Sequence, residues 1–312
     1  MDNAMAQNSI RQKVKTRLSS VLNVPMVNHL RGVLRPDTTG AQAQTAIARM
    51  IVKGSRLVAR VNATGGRATA FYLNNRLTMT GTLRSDEAWS VYEMKAHSGY
   101  FPISDASIDR LAALYLQDIA TIDLYAAWTQ FDGALAPGAA QCCQLRDLDP
   151  IFTRGRWPPA PQGRKVAVVI LFSTTIKTLW TKRAALFDVD TMPDCDMHFL
   201  TALQTRGKSD VADQGWFANV DAMDAQIADA SASVAILGAG TYGLQLGARA
   251  KRRGATAIVL GGSTQLLFGI MGNRWMLFPE YRALLRPWWT RPGRDEQPVG
   301  YETLETAGGG YW

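Results

Sequence analysis

The sequence predicts an α/β fold, a doubly wound and mostly parallel sheet with a helical, basic N-terminal extension. Three observations carry that expectation. From Lys165 onward short apolar runs alternate with stretches of helical length, as strands alternate with crossover helices in a parallel sheet. The runs are continuously apolar ("KVAVVILF", "ATAIVL") rather than alternating, which suits strands buried on both faces. The run "SVAILG" then leads into Gly238-Ala-Gly240-Thr-Tyr-Gly243 and a helical pattern, a strand–turn–helix unit.

The elements follow in order. "SIRQKVKTRLSSVL" has apolar residues at helical spacing with Arg11, Lys13, Lys15 and Arg17 on other faces. "TTGAQAQTAIARMIVKGSRLVARV" reads as one helix, "RLTMTG" as a short strand, and "SDEAWSVYEMKAH" as a helix capped by Ser85 or Asp86. "SDASIDRLAALYLQDIATIDLYAAW" reads as a long amphipathic helix capped by Ser104 or Asp105. The Pro/Gly-rich "RGRWPPAPQGRK" is a connector, near 154–165. Beyond it come the strand "KVAVVILF", the helix "STTIKTLWTKRAAL", the strand "MHFLTAL" and the helix "GWFANVDAMDAQIADA". "SVAILG" is the next strand, followed by a helix "TYGLQLGARAKRRG" ending at Gly254 and the strand "ATAIVL". This divides the chain into a basic, partly helical arm, 1–66, and an α/β domain, 67–312.

Charge sharpens that division. The 312 residues carry a net charge of +8, and residues 1–66 account for all of it, with ten Lys or Arg against Asp2 and Asp37. The rest of the chain is balanced, so the basic character describes an arm. A basic amphipathic helix fits an anionic membrane surface, each nearby cation adding about 1 kcal/mol, or a solvated leader helix. No aromatic residue interleaves with the basic ones before Phe71, so nucleic acid is not the expected partner. The three cysteines, two of them adjacent, suit reduced thiols in a cytosolic compartment. No apolar run approaches a membrane span and the N-terminus has no compact apolar signal. The expected location is cytoplasmic, with the arm allowing a peripheral place at the inner face of the membrane.

Chemistry concentrates in turns. In the glycine motif, Gly238 permits the tight turn, Gly240 lets backbone approach a ligand, and Gly243 allows close helix–strand packing. The helix N-terminus there offers free N–H groups to an anion. A conventional dinucleotide site needs an acidic residue, or an Arg for a 2′-phosphate, at the end of the next strand. That strand ends Val259-Leu260-Gly261-Gly262-Ser263, with neither. A second turn, Phe172-Ser173-Thr174-Thr175 with Lys177 one turn in, offers hydroxyls, N–H groups and an ammonium to a phosphate or diphosphate, or plain N-capping. Asp86-Glu87 at a third turn suits a hard divalent cation bridging a diphosphate, or simply complements the helix dipole. The three scattered histidines lack zinc spacing, and neither a GxSxG elbow nor a nucleophile signature around Cys142-Cys143 is present.

At "ILGAGTYGLQLGARAKRRGATAIVLGGSTQLLFGIMGNRW" the chain resembles a family of uncharacterised bacterial proteins found with surface-polysaccharide genes. The likeness extends to "LLRPWWTRPGRDEQPVG", "GGGYW", "SGYFPISDASIDRLAALYLQDIATIDLYAAW" and "KRAALFDVDTMPDCDMHFLTALQT", about Gly81 to Trp312. That family is in turn similar to GT-D-type glycosyltransferases, whose single Rossmann-like domain transfers sugar from a nucleotide sugar. The resemblance implies an Asp-x-Glu motif that binds a divalent metal, manganese or magnesium, and the donor diphosphate. Here Glu87 matches the Glu, Ser85 stands where Asp is expected, and Asp86 is displaced by one.

The expectation is therefore a glycosyltransferase in surface-polysaccharide biosynthesis, with Glu87 and Asp86 as metal or donor-orienting residues. Gly238, Gly240, Tyr242 and Gly243 would form the turn facing the donor. Ser263, Thr264 and Gln265 would read sugar hydroxyls, Ser173, Thr174 and Lys177 would contact phosphate, and Arg274 would neutralise the leaving group or pair with a structural carboxylate. The implied partners are a nucleotide sugar and a lipid-linked or saccharide acceptor. An NAD(P)-dependent oxidoreductase and a non-catalytic nucleotide-sugar-binding assembly protein are the alternatives.

Overall fold

The computed structural model describes residues 34, 36–78, 94, 98–149, 152, 160–183, 194–203, 215–297 and 310–312. Within them seven strands form one all-parallel sheet: β1 (Leu57–Ala59), β2 (Leu124–Ala127), β3 (Gln141–Gln144), β4 (Lys165–Ile170), β5 (Asp196–Thr201), β6 (Val234–Leu237) and β7 (Thr256–Val259). Their order is β3-β2-β1-β7-β6-β4-β5. The chain starts at the centre and winds outward through β2 to β3. It then crosses to β4 and β5 and returns inward with β6 and β7. This is a Rossmann-like α/β architecture, and its winding direction reverses beside β1, where ligands of open α/β sheets bind.

Strands of three to six residues hold together because both faces are covered. Six described helices have eight or more residues: α1 (Gly40–Lys53), α2 (Ala63–Thr78), α3 (Asp105–Ile119), α4 (Ser173–Trp180), α5 (Gly215–Asp229) and α6 (Gly243–Arg252). On one face, Leu111 and Tyr115 of α3, Val220 and Met223 of α5 and Leu246 of α6 cluster with Leu57, Tyr125, Leu237 and Val259. On the other, Ile47 and Ile51 of α1 and Ile176 of α4 cluster with Val58, Val168, Ile236 and Ile258, joined by Phe268 and Trp312. Val58 pairs with Leu124 on one side and Ile258 on the other, so the register aligns apolar side chains across the sheet. Each fully buried aliphatic side chain contributes about 1.5–3 kcal/mol.

The elements from β4 to β7 lie where the sequence places them. Ser104 caps α3 as expected, its Oγ accepting from the Ser107 amide at 3.2 Å. The first half needs three corrections. The stretch 38–61 is not one helix: α1 stops at Gly54, with φ +76°, whose amide closes onto Met50 O at 3.0 Å, and β1 follows. The end of the long predicted helix, "LYAA", is β2, since α3 ends at Ile119 and the chain turns through Ala120 and Thr121. Arg76–Thr78, read as the start of a strand, belong to α2, whose packing along α3 outweighs a short local pattern. Strand β3 was not expected. α1 and β1, counted with the basic arm, are a covering helix and the strand between β2 and β7.

Residues 1–33 and most of the expected helix 85–97 lie outside the described residues. Among the described residues no helix is long and apolar enough to cross a membrane.

Candidate functional site

A pocket of about 330 Å³ opens at the carboxyl edge of the sheet. It is built from the exits of β1 (Arg60, Asn62), β2 (Trp128), β4 (Phe172), β6 (the glycine turn) and β7 (Gly261, Gly262, Gln265), with Arg274 and Tyr311 closing one side.

The glycine turn forms one wall, and each glycine has a physical reason. A Cβ on Gly238 would come within 2.9 Å of Thr264 Cβ, so only glycine lets β6 run this close to the turn after β7. Gly240 has φ +55°, and nothing lies within 4 Å of where its Cβ would be. A Cβ on Gly243 would sit 3.0 Å from Val259 Cγ1, so α6 starts directly against β7. Thr241 anchors the turn from beneath. Its hydroxyl accepts from Trp216 Nε1 at 3.0 Å and donates to Ser98 O at 2.9 Å, while its carbonyl accepts from the Tyr115 phenol at 2.8 Å. Tyr242 is buried and stacked on Trp216 (5.2 Å, 11°), so its ring serves the core although the residue borders the pocket.

Two arginines supply the charge. Arg60 leaves the end of β1 with its guanidinium against Gly261 and 4.7 Å from the centre of the Trp128 ring. Burial pushes its pKa below the ordinary arginine value, and neighbouring Arg274 adds to that, against the opposing effect of Tyr311. Arg274 donates to the Tyr311 phenol and lies over the rings of Trp275 (5.1 Å) and Tyr311 (4.7 Å). Neither forms an ion pair among the described residues, and no described side chain lining the pocket is a carboxylate. Among the described residues no carboxylate pairs with Arg274. The buried Asp132 carboxylate acts on Arg60 without forming an ion pair with it, so the desolvation of Arg60 is only partly compensated, and a bound anion offsets the remaining cost.

Gln265 also borders the pocket. It is 1% exposed, and its Nε2 donates to Ile270 O at 3.1 Å and Tyr311 O at 3.4 Å. Those two carbonyls fix which end of the amide carries the N–H groups. Its Oε1 is then left buried without a partner among the described residues, a deficit of about 1–3 kcal/mol.

The second predicted turn is built differently. Thr174 N donates to Glu296 Oε1 at 2.8 Å, Thr175 N reaches both carboxylate oxygens at 3.3 and 3.2 Å, and Thr175 Oγ1 donates to the same group. The anion at the N-terminus of α4 is therefore the chain's own. Ser173 Oγ lies 2.6 Å from Thr201 Oγ1, Lys177 is exposed on α4, and none of Ser173, Thr174 and Lys177 lines the pocket.

The structure thus brings Gly238, Gly240, Tyr242, Gln265 and Arg274 to one pocket. Gly243 and Thr264 lie behind it as packing residues, and Ser263 donates to Leu260 O at 3.2 Å within the 3₁₀ segment Gly261–Phe268. Asp86 and Glu87 are outside the described residues, and among those described no group of three or more His, Cys, Asp or Glu could hold a metal. The described walls, with two arginines and no carboxylate, do not fit a divalent cation. The thiols do not suit nucleophilic chemistry: burial, with a lesser contribution from nearby aspartates, raises Cys143 to about 12 and Cys195 to about 11.

The sequence reading missed Arg60 and Trp128. Arg60 and Trp128 each directly follow a strand read as helix, so the signal was an apolar run ending in a basic or aromatic residue, "LVAR" and "LYAAW". No family model, curated protein or solved structure matches the chain.

Proposed function

We propose that this pocket binds a nucleotide sugar and that the chain is a glycosyltransferase acting in surface-polysaccharide biosynthesis. The observation that carries the reading is the pair Arg60 and Arg274, two guanidiniums that form no ion pair among the described residues, in one pocket beside the glycine turn. In glycosyl transfer the nucleoside diphosphate departs with growing negative charge, and preorganised cations aimed at it lower the barrier. The resemblance of Gly81–Trp312 to the polysaccharide-locus family supports the same reading, and from it Glu87, with Asp86, is assigned to orienting the donor. A divalent metal on that pair, a lipid-linked or saccharide acceptor, and an anionic membrane contact through the basic arm belong to the proposal.

A second reading has one observation in its favour. Arg60 rests against Gly261, at the end of the strand after the glycine turn, where an arginine accommodates a 2′-phosphate. An NADP-dependent oxidoreductase therefore competes, although no such residue stands there in the sequence.

Calorimetric titration with UDP-, GDP- and CMP-sugars and with NAD(P)H, each with and without manganese, separates the two. The proposal expects a nucleotide sugar to bind and turnover once an acceptor is supplied. Binding of NAD(P)H with no response to any nucleotide sugar would reject it. With turnover in hand, an unchanged rate in Glu87→Gln would remove Glu87 from the mechanism.

A further inference from the structure

Trp128 differs from the other described aromatic residues of the pocket. Phe172 and Tyr242 are buried and Tyr311 is partly covered, whereas Trp128 is 39% exposed. Loose packing does not explain that exposure, because the residue is tethered at both ends. Its indole N–H donates to Val61 O at 2.7 Å, and its backbone amide donates to Asp132 at 2.6 Å. Asp132 is itself buried and also accepts from the Tyr125 phenol at 2.7 Å. The indole is thus a rigid, partly open aromatic surface at the pocket rim, with the Arg60 guanidinium 4.7 Å from its ring centre.

From this we infer that Trp128 is the nucleobase platform of the site. The inference rests on the nucleotide-sugar reading and extends it to the residue that holds the base. A diphosphate on Arg60 and Arg274 brings the nucleoside of the same ligand to Trp128, next to Arg60. Stacking on an aromatic side chain tolerates every base, since each has a π-face, so the platform contributes affinity for the nucleoside without choosing among bases.

The test is calorimetric titration of the full chain and its Trp128→Leu and Trp128→Phe variants with UDP, GDP and inorganic pyrophosphate. Trp128→Leu should weaken UDP and GDP by about tenfold or more, leave pyrophosphate within about twofold, and Trp128→Phe should restore most of the loss. Unchanged UDP and GDP affinity in Trp128→Leu would overturn the platform while leaving the nucleotide site intact. Equal losses of pyrophosphate and UDP in both variants would also overturn it, showing an effect through Arg60. If the unaltered chain binds neither UDP nor GDP, the nucleotide-sugar reading fails and the platform with it.

Discussion

Two turns at the carboxyl edge of this sheet look alike in sequence and differ in what fills them. Both follow a buried strand and open a helix, and both offer backbone N–H groups to an anion. After β4, the turn at Thr174 and Thr175 already holds the Glu296 carboxylate, delivered from a segment more than a hundred residues away in sequence. After β6, the turn at Gly240 faces open space, beside two arginines that form no ion pair among the described residues. One anion site is spent on stability, and the other stays available to a ligand. Turn chemistry therefore shows where an anion fits, and the tertiary fold decides whose anion it is.

The largest effect expected from breaking the contrast is at the open turn. Arg60→Ala and Arg274→Ala each remove charge-assisted contacts worth about 1.5–3 kcal/mol. The double variant should therefore bind a nucleotide sugar or pyrophosphate about a hundredfold or more weakly by calorimetry. The same pair should change unfolding stability much less than it changes binding, because relief of the desolvated Arg60 guanidinium offsets the lost contacts with Trp128, Trp275 and Tyr311.

The filled turn should behave in the opposite way. Glu296→Ala should cost about 1.5–3 kcal/mol in denaturant unfolding, the loss of a charge-assisted cap on two backbone amides and a hydroxyl. Nucleotide affinity should be unaltered. Were nucleotide binding lost with Glu296 and stability untouched, the assignments of the two turns would have to be exchanged.

These contrasts also show how far the sequence is readable. The half from Lys165 to Gly262 is legible because β4, β6 and β7 are apolar runs bounded by turn residues. The half before it is not. β1 is three residues long and follows a helix ended by Gly54, and β2 continues the apolar pattern of α3 after a brief turn. Misreading these two strands hid the residues at their ends, Arg60 and Trp128. The glycine turn was legible as a local motif with local reasons, whereas Glu296 on Thr174 and Tyr311 beside Arg274 are long-range contacts that no local pattern encodes.

A smaller effect sharpens the picture at the glycine turn itself. Gly240→Ala places a side chain in open space but at φ +55°, costing about 1–2 kcal/mol of stability. Nucleotide affinity should fall several-fold, since the added methyl stands where backbone meets ligand. A variant that loses stability and keeps full affinity would mean the turn does not approach the ligand.

The smallest effect expected near neutrality is that of pH. Arginines remain charged throughout the working range, so nucleotide affinity should be flat between about pH 7.5 and 9. Stability responds at higher pH. Cys143 and Cys195 titrate near 9 when unfolded and at about 12 and about 11 when folded. The protonated thiols thus contribute stability that is full below pH 9 and is lost as pH rises through 11 to 12. Unfolding titrations across that range should show the decline, and Cys143→Ala should show less of it.

The most direct test is a crystal structure of the chain with a nucleoside diphosphate bound. The account predicts phosphates at the Gly240 turn within reach of Arg60 and Arg274, with Glu296 still on Thr174 and Thr175. Phosphates at the N-terminus of α4, with Glu296 displaced, would contradict it.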